Sequence, residues 1–160
     1  MPNPADQDAC ELLDADHLAV KHLFVEYARL AFAPTAPGAD GRVAIAKKIC
    51  DELTVHAEIE EEIFYPALQR AVPDAADLLD EAREEHQQAK DMVAQLREME
   101  EADTAMDALV AELDWAVGHH VKEERDELFP KARAAQALNL EDLAEELRER
   151  QQALQADITG

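Results

Sequence analysis

The sequence predicts an all-α protein, an up-down-up-down four-helix bundle with an additional short C-terminal helix. Of its 160 residues, 48% are hydrophobic, and they recur at spacings of three and four, which is the period of one helix face. Only 4 glycines and 7 prolines are present, too few for a β-sandwich with many tight turns. The segments between the predicted helices are short, so neighbouring helices should run antiparallel.

Four long segments carry an apolar helical face, and turn-forming residues separate them. Asp74 and Thr104 are expected to cap the N-termini of the third and fourth helices. Pro66 and Pro130 are expected to kink or end the second and fourth helices, because proline lacks the backbone N–H. The long helices are expected at about residues 6–32 and 41–72, from about 74, and from about 104 onward.

A last predicted helix, at about residues 140–156, carries a leucine stripe. We expect this helix to pack across the bundle, and a dimer contact is the alternative, so that a monomer and a homodimer are both open. All of residues 1–160 are expected to form one domain, with the bundle at about residues 6–135.

The charge balance excludes several classes of partner. Lys and Arg number 15 against 37 Asp and Glu, a net charge of −22, which argues against nucleic acid and anionic membranes. No apolar run approaches 18 residues and no signal peptide is visible, so we expect a cytoplasmic protein. Cys10 and Cys50 are predicted to be reduced thiols, because the hairpin register separates them by about 20 Å.

An internal repeat isolates the unusual residues. Residues 56–66, HAEIEEEIFYP, align without gaps to residues 120–130, HVKEERDELFP. Each copy begins with His, has Glu four residues later and ends with Pro ten residues later. Upstream, the pair Asp16-His17 matches Glu85-His86. The chain is therefore predicted to contain a helical hairpin that occurs twice.

Polar residues replace core residues near the middle of each apolar face, which favours a metal site. His and Glu four residues apart lie on one face of a helix and can bind the same cluster of ions. A buried carboxylate without a partner is costly, and a pair of cations removes that cost. Four imidazoles with two carboxylates and no thiolate fit two iron ions best, joined by an oxo or hydroxo bridge and each with one open position. The candidate ligands are His17, His56, Glu60, His86, His120 and Glu124.

Other polar residues are expected to lie at the surface or in the core without binding metal. His22 and His119 also have Glu four residues later, but they lie off the repeat and are expected to be solvated or to neighbour the ligands. His119, four residues after Trp115, stays the alternative ligand on its helix. Tyr27 and Tyr65 are expected in or near the core with hydroxyls that need partners, and a place near the metal is the alternative for each.

Neighbouring groups can also be assigned. Asp16 and Glu85 are expected, by adjacency alone, to accept hydrogen bonds from the imidazole N–H groups. Phe24, Phe64 and Phe129 are expected to keep water from the ions. The acid runs at residues 60–62 and 100–101 are expected to be mostly solvated, apart from the candidate ligand in the first run.

The combined pattern resembles the bacterial hemerythrin-like proteins with the HHE cation-binding domain. It consists of the six candidate ligands with the Phe-Tyr-Pro and Leu-Phe-Pro tails, over about residues 10–132. The resemblance implies a four-helix bundle with a non-heme di-iron site, and chemistry with oxygen, peroxide or nitrogen oxides. The sequence departs from the invertebrate oxygen carriers, since Lys90 stands four residues after His86 where they have a fifth histidine, and Glu124 replaces their aspartate.

The resulting functional hypothesis is a non-heme di-iron protein that binds dioxygen or a related small ligand for sensing, storage or iron handling. The alternative is a di-iron enzyme that acts on hydrogen peroxide, like a catalase, or on nitric oxide. A third hypothesis is a metal-free bundle for protein interaction. The sequence leaves open whether the protein is an enzyme, and it favours a small ligand as partner over nucleic acid or membrane.

Overall fold

The computed structural model describes residues 7–32 and 39–159. Its helices are α1 (Ala9–Ala31), α2 (Ala39–Ile59), α3 (Tyr65–Ala71), α4 (Ala76–Glu98), α5 (Thr104–Glu123), α6 (Phe129–Ala134) and α7 (Leu140–Thr159). One π-helical turn, Glu60–Phe64, joins α2 to α3, and a second, Glu124–Leu128, joins α5 to α6. The predicted fold class, a four-helix bundle with a C-terminal helix, is confirmed.

The described core is divided into two apolar clusters at opposite ends of the bundle. One contains Leu13, Leu68 and Leu79 together with residues of α7. The other contains Phe24 and Leu113 and lies toward the other end. The layer between the clusters is polar. The buried polar or charged side chains of the described residues are His17, His56, Glu60, His86, His120 and Glu124, the six candidate ligands.

Two predicted N-caps are wrong. The α5 helix is capped by Asp103, whose carboxylate accepts a hydrogen bond from the Met106 N–H at 3.0 Å, and Thr104 is the first helical residue. Asp74 lies inside a 3₁₀ turn, Pro73–Ala75, so it has no extended backbone from which to cap α4.

The two prolines lie just after the π-helical turns. Pro66 and Pro130 occupy the first turns of α3 and α6, where a helix needs no N–H from them. Before them, the Tyr65 N–H donates to the Glu60 carbonyl and the Phe129 N–H to the Glu124 carbonyl, each five residues back. The predicted interruption of the second and fourth helices is present, but it lies one turn before each proline. Each helical rod, α2 with α3 or α5 with α6, continues beyond it.

The C-terminal helix packs on the bundle, as predicted. It contacts α1, α2 and the first π-helical turn, and Leu143, Ala144 and Leu147 are buried there. The bundle also buries both thiols. Cys10 and Cys50 are free and lie in different apolar clusters, and burial raises their pKa to about 12 and about 11. None of the described helices is long and apolar enough to cross a membrane.

Candidate metal centre

The six candidate ligands meet in the polar layer between the two apolar clusters. Four helices, α1, α2, α4 and α5, each supply one histidine, and each π-helical turn begins with one glutamate. Both glutamates are 0% exposed and the four histidines are 5–7% exposed. The structure therefore brings together every residue that the repeat predicts.

Each carboxylate lies between histidines of both helical hairpins. Glu60 Oε1 is 3.1 Å from Nε2 of His56, on its own rod, and 3.1 Å from Nε2 of His86, in the other hairpin. Glu124 Oε1 is 3.4 Å from Nε2 of His120 and 3.0 Å from Nε2 of His17. This arrangement suits carboxylates that are shared between two positive ions.

The ligand atoms form two groups that overlap at Glu60, each with its atoms within 4.8 Å of one another. In the first, Nε2 of His17 and Nε2 of His56 are 3.1 Å apart. In the second, the same atoms of His86 and His120 are 3.1 Å apart. The first group consists of His17, His56, Glu60 and Glu124, and the second of Glu60, His86 and His120.

Every one of these imidazoles has a carboxylate at its other nitrogen. A carboxylate only accepts, so it places the proton on Nδ1 and leaves the Nε2 lone pair directed into the centre. The Nδ1 pairs are His17 with Asp14 at 3.1 Å, His56 with Asp16 at 3.1 Å, His86 with Glu61 at 3.0 Å and His120 with Glu85 at 2.8 Å.

The sequence found two of these four acceptors. Asp16 and Glu85 are acceptors as predicted, but each serves the histidine of the next helix instead of its own neighbour. Asp14 was missed, although it precedes His17 by three residues on the same helix. Glu61 was wrongly assigned to a solvated face, because the side to which it points depends on how its rod packs against α4.

The donor set fits positive ions. Two Nε2 lone pairs at 3.1 Å repel each other unless a proton or a cation lies between them. Glu60 Oε2 and Glu124 Oε1 are buried, and within the described chain no hydrogen bond reaches either oxygen. A buried charge without compensation is expensive, so this centre favours cations with nitrogen and oxygen ligands.

The pKa values show how strongly the centre attracts positive charge. Burial opposes protonation of His56, yet Glu60 and Asp16 raise its pKa well above the ordinary value. The pKa of His120 is also raised well above its usual range against the effect of burial, chiefly by Glu124. Burial alone would raise the pKa of Glu60, but His56 and its other neighbours hold it well below its usual range.

A comparison with known protein families decides the identity. The sequence model of the hemerythrin HHE cation binding domain matches residues 8–132. This chain belongs to the hemerythrin HHE cation-binding family. HHE domains bind metal ions, usually iron, and the buried His and Glu cluster fits such a site. The resemblance drawn from the sequence pattern is thereby confirmed.

A solved structure gives independent support for the fold. A hemerythrin HHE cation binding domain-containing protein from Mycobacterium kansasii has a TM-score of 0.74 to this HHE protein and 24% identical residues. The alignment covers 94% of this chain and 89% of that chain. At this identity the likeness concerns the fold alone. No match was found among curated proteins.

Tyr65 also lies at the HHE centre, a place that the sequence offered only as the alternative to a core position. Its hydroxyl donates to Glu124 Oε2 at 3.0 Å and lies 3.2 Å from Nε2 of both His86 and His120. Burial and the two nearby carboxylates raise its pKa well above the usual range. Both interpretations of this tyrosine hold, since its side chain is 0% exposed in an apolar cluster and its hydroxyl lies among the candidate ligands. Tyr27 is in the core of the other cluster, and its hydroxyl donates to Asp107 at 2.7 Å.

Apolar groups close one side of the HHE centre and line a cavity on another. Phe129 stacks on His17 with ring centroids 6.0 Å apart, and Phe64 meets Phe129 edge-on at 5.8 Å. The predicted third wall, Phe24, lies in the other apolar cluster. A cavity of about 270 Å³, lined by all four histidines and by apolar residues that include Val93, adjoins the centre. The cavity is large enough to hold a small molecule beside the four histidines.

The two remaining histidines of the HHE protein lie outside the centre. His22 is exposed. His119 is half exposed, stacks on Trp115 with centroids 5.6 Å apart, and has its Nε2 3.2 Å from Glu123 and 3.5 Å from Glu85. Of the two neighbouring histidines, His120 is the one that lies among the other candidate ligands, as the repeat predicts.

Proposed function

We propose that this HHE protein holds a di-iron centre and binds dioxygen or a related small ligand there, for sensing, storage or iron handling. One observation carries the proposal, namely that each of two buried carboxylates lies between imidazoles of both hairpins. The first ion would be held by His17 and His56, the second by His86 and His120, with Glu60 and Glu124 shared.

Iron held in this way supplies Lewis acidity and a change of oxidation state toward dioxygen, peroxide or nitric oxide. Two nitrogens and two shared carboxylates leave octahedral positions free at each ion. The chain supplies the surroundings, since the Tyr65 hydroxyl offers a hydrogen bond and Phe64 and Phe129 exclude water. A cytoplasmic location belongs to this proposal, and the free thiols of Cys10 and Cys50 agree with it.

The proposal is tested by loading the purified chain with iron in the absence of oxygen. We expect two irons per chain by elemental analysis, and a near-ultraviolet absorption after oxidation that changes when azide is added. The His86→Ala variant should lose metal, whereas His22→Ala, which removes an exposed histidine, should keep both ions. One metal per chain, or zinc alone after iron supplementation, would contradict the di-iron proposal.

The second candidate function, peroxide turnover, is favoured by Tyr65. Its phenol hydroxyl, 3.2 Å from two candidate ligand nitrogens, would be placed to donate a hydrogen bond or a proton to a bound peroxide. In the Tyr65→Phe variant we expect unchanged iron content and peroxide turnover that is lower by at least about tenfold, since positioned proton transfer contributes that much or more. Oxygen evolution from hydrogen peroxide measures it. Equal turnover in the variant would remove Tyr65 from the chemistry, and no turnover in the parent would favour the binding function.

A further inference from the structure

We infer that α7 is part of the metal centre, because Gln151 positions Asp16 and, through it, His56. This inference rests on the proposed function. It makes the C-terminal helix a structural element that sets the metal affinity and the redox potential of one of the two ion positions.

A continuous chain of hydrogen bonds links α7 to the centre. The Gln151 side-chain amide nitrogen is 3.0 Å from both carboxylate oxygens of Asp16. The Oδ2 atom of Asp16 in turn accepts from His56 Nδ1 at 3.1 Å. On the far side of the ring, His56 Nε2 faces the candidate ions. Gln151 therefore acts on the metal through two intermediates and is a positioning residue.

A second contact joins α7 to the π-helical turn beside the centre. Arg150 donates to both carboxylate oxygens of Glu62, from Nε at 2.8 Å and from Nη2 at 3.2 Å. Glu62 belongs to the π-helical turn that begins with Glu60. One turn before Gln151, Leu147 is buried in the apolar cluster and fixes the helix in this register. These two polar contacts of α7 thus lead to the stretch of chain that carries His56 and Glu60.

Within residues 7–32 and 39–159, no glutamine amide contacts the corresponding carboxylate at the other ion position. Glu85 is the repeat counterpart of Asp16 and accepts from His120 in the same way. Its second oxygen faces His119 Nε2 at 3.5 Å in place of a glutamine amide. The match to the HHE family ends at residue 132, before α7 begins. The C-terminal helix therefore makes two otherwise similar ion positions different.

The direction of the effect follows from electrostatics. An amide donor draws electron density from Asp16, which weakens the pull of that carboxylate on the His56 proton. A cation at position 151 should weaken it further and make His56 a poorer ligand, whereas an anion should do the reverse. Because coupling between sites is reciprocal, metal binding should also strengthen the docking of α7.

The test is a charge series at position 151 with matched controls at the exposed Gln152. We expect Gln151→Lys to lower zinc affinity and raise the midpoint potential of the iron-loaded protein, and Gln151→Glu to do the opposite. Each affinity change should be about three- to tenfold, below the 10–100-fold typical of direct partners of a ligand. Gln152→Lys and Gln152→Glu carry the same net charge changes and should stay within about twofold of the parent.

The inference would be overturned if both 151 variants changed the zinc affinity and the midpoint potential in the same direction, since loss of packing affects both variants alike. Equal changes at positions 151 and 152 would also overturn it. A second readout needs no metal. In the chelator-treated protein, the His56 Nδ1–H proton resonance should move in opposite directions in the two 151 variants and stay constant in the 152 variants. If the parent binds no metal, the proposed function fails, and this resonance still decides the role of Gln151.

Discussion

We expect replacement of Glu124 by alanine to lower the affinity of the chain for iron or zinc by at least about 100-fold, more than is typical for removing a partner of a ligand. The reason is the position of this carboxylate, which contacts His17 in one ligand group and His120 in the other. Its removal takes an oxygen from both ion positions and leaves facing imidazole nitrogens without a shared anion. Competition with a chromophoric chelator measures the loss.

The matched control is Glu127→Ala, which removes an exposed acid from the same π-helical turn. It changes the net charge by the same amount, so it separates a lost ligand from a change in the overall field of this acidic chain. We expect its metal affinity to stay within about twofold of the parent. Equal metal binding by both variants would show that Glu124 is not a ligand.

Metal binding raises the melting temperature by about 10–20 °C at pH 7.5. At free metal concentrations 100-fold above the dissociation constant, each site contributes about 2.7 kcal/mol, hence about 5 kcal/mol for two sites. A chain of this size gains about 2–4 °C per kcal/mol. Differential scanning calorimetry of metal-loaded and chelator-treated protein measures the difference.

The rise in melting temperature on metal binding should shrink as the pH falls, because the stabilities of the metal-loaded and metal-free proteins depend on pH in opposite directions. The pKa values of His56, His86 and His120 are raised, so their protonation stabilises the metal-free fold fully below the ordinary histidine pKa. That contribution is lost as the pH rises through the raised values. The metal-loaded fold needs neutral imidazoles and loses stability as the pH falls.

Glu60 adds no pH dependence to the stability in this range. The lowered pKa of Glu60 gives stability above the ordinary glutamate pKa that is lost only as the pH falls through the lowered value, so it stays constant between pH 6 and 9. Melting curves recorded from pH 5.5 to 9 should therefore diverge toward high pH. Parallel curves for the two forms would contradict a histidine-rich centre.

The repeat in the sequence was sufficient to find the six buried polar residues. His56 and Glu60 recur as His120 and Glu124 with the same proline spacing, and chance rarely repeats three such positions. Helical period then predicts that they share a face, and the structure buries all of them. The sequence thus predicted which polar residues point inward, because that follows from position along each helix alone.

The residues that the sequence missed depend on how one helix is rotated against another. A regular helical count after Glu60 places Ile63 on the inner face, but Ile63 is only half buried while Phe64 and Tyr65 are 0% exposed. The π-helical turn contains one extra residue per turn and so shifts the inward face by one position. Without that turn, the hydroxyl of Tyr65 has no predictable place. Gln151 is 135 residues from Asp16, and no local pattern connects them.

The polar layer divides the described hydrocarbon interior into two bodies, with four rods as struts between them. Neither apolar cluster alone spans the molecule. The two ends are therefore coupled through the helices and through the charged side chains between the clusters. Cations bound in the polar layer would neutralise its carboxylates and hold the two hairpins together there. Loss of the ions would weaken the packing between the two ends while each apolar cluster stays intact. The cooperativity of unfolding would then depend on the charge balance of the polar layer.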